Sequence, residues 1–121
     1  MSFPLERVKA FLGLVSSMRV EEVLRRIDHT QLKPMASKSD IVKLCDEAKR
    51  YGFYAVCVNP YYVPLASKLL SGTDVKISSV VGFPLGATFT EIKAAEAERS
   101  IRLGASEIDM VMNISAFKSG D

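Results

Sequence analysis

Cysteine and histidine are scarce in this chain: Cys45, Cys57 and His29 are the whole supply of both residue types. With no CxxC pair and one histidine, neither a disulfide framework nor a structural zinc site is expected, and a reducing, cytoplasmic setting is the simplest reading. No charge of one sign dominates. The net +2 comes from 16 basic and 14 acidic residues spread along the sequence, so no basic stripe asks for nucleic acid or a membrane surface. Long apolar runs are missing too. Residues 1–15 mix charged with apolar side chains, and no stretch could serve as a signal-peptide core or span a bilayer, which predicts a soluble protein. A glycine-rich phosphate loop of the GxxxxGK[ST] kind is also absent, so a phosphorylated ligand would be held mainly by residues not present here.

What is present is enough apolar material, 48% of 121 residues, for one small domain and not for two. Leu5, Val8, Leu12 and Val15 recur at helical spacing behind Pro4, which predicts an N-terminal helix, and a second short helical stretch covers Val20 to Arg25. Ile27-Asp28-His29-Thr30 reads as a first strand whose end is marked by Lys33-Pro34. Ser37 with Asp40 three residues on is a capping-box-like start; Ile41, Leu44, Ala48 and Tyr51 then form one face, and Gly52 supplies a left-handed stop. Tyr54 to Val58 is a second strand, buried on both faces, closed by Asn59-Pro60 and followed by a helix near Pro64 to Leu70. Val75 to Val81 is a third. The turn Gly82-Phe83-Pro84-Leu85-Gly86 leads to Thr88 and Glu91, a second capping box, and to a long helix with Ala94, Ala97 and Ile101 on one face and Gly104 at its end. Glu107 to Met112 forms a fourth strand, and Asn113 to Asp121 begins a further connection.

Strands alternating with amphipathic helices imply a parallel sheet with right-handed crossovers, hence an α/β fold. Gly52 precedes Cys57 by five residues and Gly104 precedes Asp109 by the same five, two βα units later. In a (β/α)8 barrel that offset would place Cys57 and Asp109 in one interior layer. Glycine helix stops are common to βα units, so the repeat supports the α/β class without separating a barrel from an open flavodoxin-like sheet.

Asp109 is the most informative residue, because an acid inside an apolar strand is costly to bury unless it is paired or used. Alternation puts Glu107, Asp109, Val111 and Asn113 on one face, toward a barrel interior or site, and Ile108, Met110 and Met112 on the other, toward helices. A structural ion pair would explain Asp109 equally well. Asp28 and Thr30 share a face at the end of the first strand, where active-site residues of barrels collect; the alternative is that they satisfy turn backbone. Cys57 is either a site thiol or an inert core residue. His29 is assigned no role. A Schiff base needs an amine whose charge is suppressed, and no lysine lies inside an apolar strand. Lys76 starts its strand, while Lys33, Lys93 and Lys118, in or just after connecting turns, read as solvated.

Four segments, Ile27-Asp28-His29-Thr30-Gln31-Leu32-Lys33-Pro34, Val56 to Pro64, Val80 to Thr88 and Gly104 to Asn113, resemble in that order the deoxyribose-phosphate aldolase family. The resemblance implies the N-terminal half of a (β/α)8 TIM barrel, about four parallel strands with intervening helices plus an N-terminal helix. Residues 1–26 would be a helical extension and 27–121 the half-barrel domain. Family members cleave 2-deoxy-D-ribose 5-phosphate reversibly to acetaldehyde and D-glyceraldehyde 3-phosphate through a lysine imine, with no metal and no other cofactor. On this resemblance Asp109 matches the proton-relay aspartate, Asp28 and Thr30 match polar residues near the substrate hydroxyls, and Cys57 matches a thiol close to the site. The family's imine-forming lysine, its partner lysine and most of its phosphate-binding residues belong to the second half of the barrel, beyond this chain. Alone, the chain is therefore expected to be inactive or nearly so. Open sheet edges ask for cover, from a complementing C-terminal half or from other copies; the latter would make a non-catalytic, self-associating half-barrel module. The small-molecule partner would be a phosphosugar or aldehyde, with no nucleic acid or membrane partner.

Overall fold

The structure, a computed structural model, describes Gly13 and residues 19–121. Apart from Gly13, which is helical, the helix expected over Leu5 to Val15 lies outside the described residues. Helix α1 covers Val20–Leu24, and the chain then enters β1, Asp28–Gln31.

Helix α2, Lys38–Tyr51, begins as the sequence predicts: the Asp40 N–H donates to Ser37 Oγ at 3.3 Å, while the Ser37 N–H donates to Asp40 Oδ2 at 2.7 Å. It ends at Gly52, whose φ of 70° suits the residue without a Cβ. Ile41, Leu44 and Ala48 are buried, joined by Cys45. Tyr51, expected on the same face, is exposed; its ring lies near Phe53 and under the Arg50 guanidinium, 5.4 Å from the ring centre.

Strand β2, Ala55–Val58, is buried throughout. A 3-10 turn over Pro60–Tyr62 feeds α3, Val63–Leu69, and β3 follows at Lys76–Val81. Helix α4 spans Thr90–Arg102, β4 spans Glu107–Met110, and α5 spans Ile114–Ser119. The four strands form one parallel sheet in the order β1-β2-β3-β4. The architecture is half of a (β/α)8 barrel, as expected.

Val56, Val58 and Ile77 pack against Ile41, Leu44, Ala48, Val63, Ala66 and Leu70, so α2 and α3 cover the same side of the sheet. Helix α4 joins them there through Ser100, which accepts from Ser79 Oγ at 3.1 Å. Each fully buried aliphatic side chain in this layer contributes about 1.5–3 kcal/mol relative to exposure. Ladder partners then assign the opposite side, because successive residues of a strand alternate.

Five expectations at the β3–β4 end are corrected. Thr88 does not cap α4: the cap residue is Phe89, and no side chain bonds it. The predicted inner stripe of α4 is also rotated. Ile101 is exposed, and the buried or half-buried positions are Lys93, Glu96, Ala97 and Ser100. The polar members win that face because each meets a partner on the sheet side that an alanine stripe would leave unsatisfied. Lys93, read as solvated, is only 8% exposed. Finally, β4 ends at Met110 rather than Met112, although the Val111 N–H still donates to Val81 O at 2.9 Å. As the described sheet's edge, β4 leaves Met110 49% and Met112 55% exposed where helix cover was expected.

Candidate active-site face

On the side of the sheet away from α2, α3 and α4 lie Asp28 and Thr30 from β1, Ala55 and Cys57 from β2, Ser78 and Val80 from β3, and Glu107 and Asp109 from β4. All four residues predicted for the site therefore share one face. Thr30, Cys57, Ser78 and Glu107 are level with one another across the ladder. Asp109 is one pleat further on, level with Val80, so it and Cys57 share a face but not a ladder row. Barrel strands are staggered relative to their ladder rows, which is why a row and an interior layer differ.

Small residues make the centre of this face. Ala55, Cys57, Ser78 and Val80 are buried, and the carboxylates of Asp28, Glu107 and Asp109 stand to either side of them. The grouping has an electrostatic signature. Burial first, then the charges of Glu107 and Asp109, push the Asp28 carboxyl above its ordinary value. Tyr54, immediately before β2, donates from its hydroxyl to Glu107 Oε1 at 2.5 Å, and that bond with the carboxylate's charge holds its phenol above the usual range. Among the described residues, no ion pair reaches Asp28, Glu107 or Asp109. Nor, among them, are three acidic, histidine or cysteine side chains disposed to hold a metal ion. The face offers acids that can accept protons and a carboxyl, Asp28, biased toward holding one.

Cys57 is a poor nucleophile here. Burial raises its thiol, opposed by the hydroxyls of Ser78 and Thr30 and reinforced by Asp109 and Asp28. Thr30 directs its hydroxyl to Asp28 O at 2.8 Å, which fixes the end of β1. His29 points the other way, with Nε2 2.7 Å from Glu47 Oε2 of α2 and its ring 4.8 Å from that of Phe53. It braces β1 to α2 and takes no part in the face.

Chemistry in such barrels sits at the C-terminal ends of the strands. There, an open cleft of about 560 Å³ is lined by Leu85, Ala87, Asn113, Ile114, Ser115 and Lys118, between the β3–α4 and β4–α5 connections. A comparable cleft of about 580 Å³, lined by Arg25, Lys49, Tyr54 and Asp74, lies near the strands' N-terminal ends, away from Asp109. Sequence reasoning passed over Ser78 and Tyr54. Two serines inside the apolar run of β3 were the available signal for Ser78; nothing local announced that Tyr54 would reach across to β4.

Residues 23–121 match the family model described as DeoC/LacD family aldolase. The chain is 64% identical over 104 residues to the deoxyribose-phosphate aldolase of Aciduliprofundum boonei, covering 86% of this chain and 47% of that protein. It is 61% identical over 102 residues to that of Thermococcus gammatolerans, covering 83% and 45%. The solved structure of the tetrameric deoxyribose phosphate aldolase from Aeropyrum pernix superposes with a TM-score of 0.79 at 39% identity, over 85% of this chain and 44% of that one. The chain thus spans about half the length of the curated relatives it matches.

Proposed function

This chain belongs to the DeoC/LacD family of aldolases, and from that premise we propose that it supplies the proton-handling side of a deoxyribose-phosphate aldolase site. The reaction is the reversible cleavage of 2-deoxy-D-ribose 5-phosphate to acetaldehyde and D-glyceraldehyde 3-phosphate through a lysine imine. The observation that carries the reading is the convergence of Asp28, Glu107 and Asp109 on one face, with no ion pair to them among the described residues. Carboxylates left without a counter-charge suit a face that works opposite an amine.

In this reading Asp109 takes and returns protons at the acetaldehyde-derived carbon, while Asp28 and Thr30 orient substrate hydroxyls and Cys57 shapes the floor. The amine that forms the imine comes from polypeptide other than these 121 residues. Lys93 is spent on a backbone carbonyl, Lys76 lies at the N-terminal end of β3, and Lys33 and Lys118 are exposed. The half-barrel domain is residues 27–121, with residues 1–26 as an extension. A cytoplasmic setting fits the two free, buried cysteines.

Exposed Met110 and Met112 at and just after β4, with exposed Ile114 and Phe117 on α5, favour association, and the Aeropyrum relative is a tetramer. Pairing two copies into a closed eight-stranded ring would, however, face six carboxylates inward. That repulsion favours a complementing half over a self-associating module.

The test is borohydride trapping with acetaldehyde. We expect no adduct on this chain alone and an adduct on a separately made second half when the two are mixed. In that mixture Asp109→Asn should slow deuterium uptake into the acetaldehyde methyl by about 10²-fold or more. Trapping on the isolated chain, or an undiminished exchange rate, overturns the reading.

A further inference from the structure

We infer that Lys93 is a positioning residue for Asp109, acting through the backbone at the end of β4; this rests on the proposed role of Asp109. Lys93 lies in the first turns of α4, on the helix's sheet-facing stripe, and its Nζ donates to Val111 O at 2.7 Å. Val111 is two residues beyond Asp109. A lysine stem is free to swing, but this one is confined. A Cβ added to Gly82 would lie 3.0 Å from Lys93 Cε and 3.4 Å from its Cγ, so the stem runs over the glycine that follows β3 and reaches the residue that follows β4.

One neighbouring contact bears on the same short segment, and a second steadies the turn from which it comes. Gly86, in the β3–α4 turn, is packed so closely on Met112 that a Cβ there would sit 2.0 Å from Met112 O. One α-helical turn after Lys93, Glu96 accepts from the Gly82 N–H at 2.8 Å and ties the other side of that turn to α4. The segment Val111–Met112 is therefore held by the ladder bond from its own N–H, by the ammonium on its carbonyl and by the glycine packed on its next carbonyl.

Strand β4 has a described neighbour on one side only, β3. Its ladder fixes the strand laterally and leaves its end free to fray. Burying an ammonium is unfavourable unless it gains a strong bond, and a charge-assisted bond to a carbonyl is such a bond. An apolar residue at position 93 would fill the space without holding the carbonyl. Lysine gives the edge strand a fixed end, and with it a fixed direction for Asp109.

Amide exchange and carboxyl ¹³C NMR of this chain, as wild type, Lys93→Met and Lys93→Arg, test the inference. In Lys93→Met the Val111 amide should exchange about 10-fold faster or more and the Asp109 carboxyl signal should broaden or split, while Ile41 and Val56 amides keep their protection. Lys93→Arg should restore both signals. The exposed-lysine control Lys68→Met should change neither. If Val111 and Asp109 signals stay as in the wild type, or if all amides lose protection together, the inference fails. Should Lys93→Met not fold, Lys93→Gln takes its place with the same two outcomes. In the barrel completed by its second half, Lys93→Met should lower kcat for deoxyribose 5-phosphate cleavage about 10- to 100-fold with KM unchanged. A moved Asp109 signal with an unmoved kcat would support the positioning and refute the catalytic role given to Asp109.

Discussion

Replacing Gly86 by alanine adds two separable penalties. Gly86 has a φ of 64°, where an L-residue with a Cβ costs about 1–2 kcal/mol. The added Cβ would also fall 2.0 Å from Met112 O and 2.8 Å from Val111 O, both backbone atoms. Ordinary contact requires the carbonyl to retreat by roughly 1.5 Å, an overpacking of the kind that costs about 1–3 kcal/mol. Gly52 isolates the first penalty, because its φ is 70° and nothing lies within 4 Å of its added Cβ. Gly52→Ala should thus lose about 1–2 kcal/mol and Gly86→Ala about 2–5 kcal/mol. With a urea slope of about 1.5 kcal/mol/M, the extra loss moves the midpoint down by roughly 0.7–2 M beyond that of Gly52→Ala. Urea unfolding followed by circular dichroism reads both variants. Equal midpoints would refute the close packing of the β3–α4 turn on the end of β4.

Asp28, with a native pKa raised by burial and by Glu107 and Asp109, binds its proton more tightly folded than unfolded. Its contribution to stability is present below the unfolded carboxylate value and is lost as pH rises through the raised native value. Asp28→Asn should therefore be more stable than wild type at pH 7, with the gap closing in acid, as thermal melts across pH would show. Asp40 has the opposite sign, since its bonds to Ser37 lower its pKa; its contribution is present above the unfolded value and fades as pH falls through the lowered one. Ser37→Ala should cost about 1 kcal/mol at pH 7 in the same melts. Burial raises Cys45 to about 11 and also raises Cys57, so neither thiol should react with iodoacetamide at pH 7.5 until urea unfolds the chain. Mass spectrometry showing fast native labelling at Cys57 would contradict its buried place on the face.

The fold was legible because local signals and tertiary demands agree along most of the chain. Ser37 with Asp40, the left-handed Gly52 and the apolar run of β2 each specify one outcome, and each occurs. The shared face of Asp28, Thr30, Cys57 and Asp109 followed from strand alternation, which parallel pairing preserves. Helix α4 was misread because its sequence carries two stripes at helical spacing, one through Ala94, Ala97 and Ile101 and one through Lys93, Glu96 and Ser100. Periodicity favours the apolar stripe, but Val111 O, the Gly82 N–H and Ser79 Oγ were waiting on the sheet side, and those partners are set by residues distant in sequence. The Tyr54–Glu107 bond is unreadable locally for the same reason: it joins the residue before β2 to β4, two strands that meet only through β3.

The common face of Asp28, Glu107 and Asp109 is the claim on which the functional reading stands, and the titration of Asp28 measures it. Carboxyl ¹³C NMR should find the Asp28 pKa lowered toward its ordinary value by Glu107→Gln and, to a smaller degree, by Asp109→Asn, because both charges now hold it up and that of Glu107 does more. An Asp28 titration indifferent to both substitutions would mean that the carboxylates do not face one another.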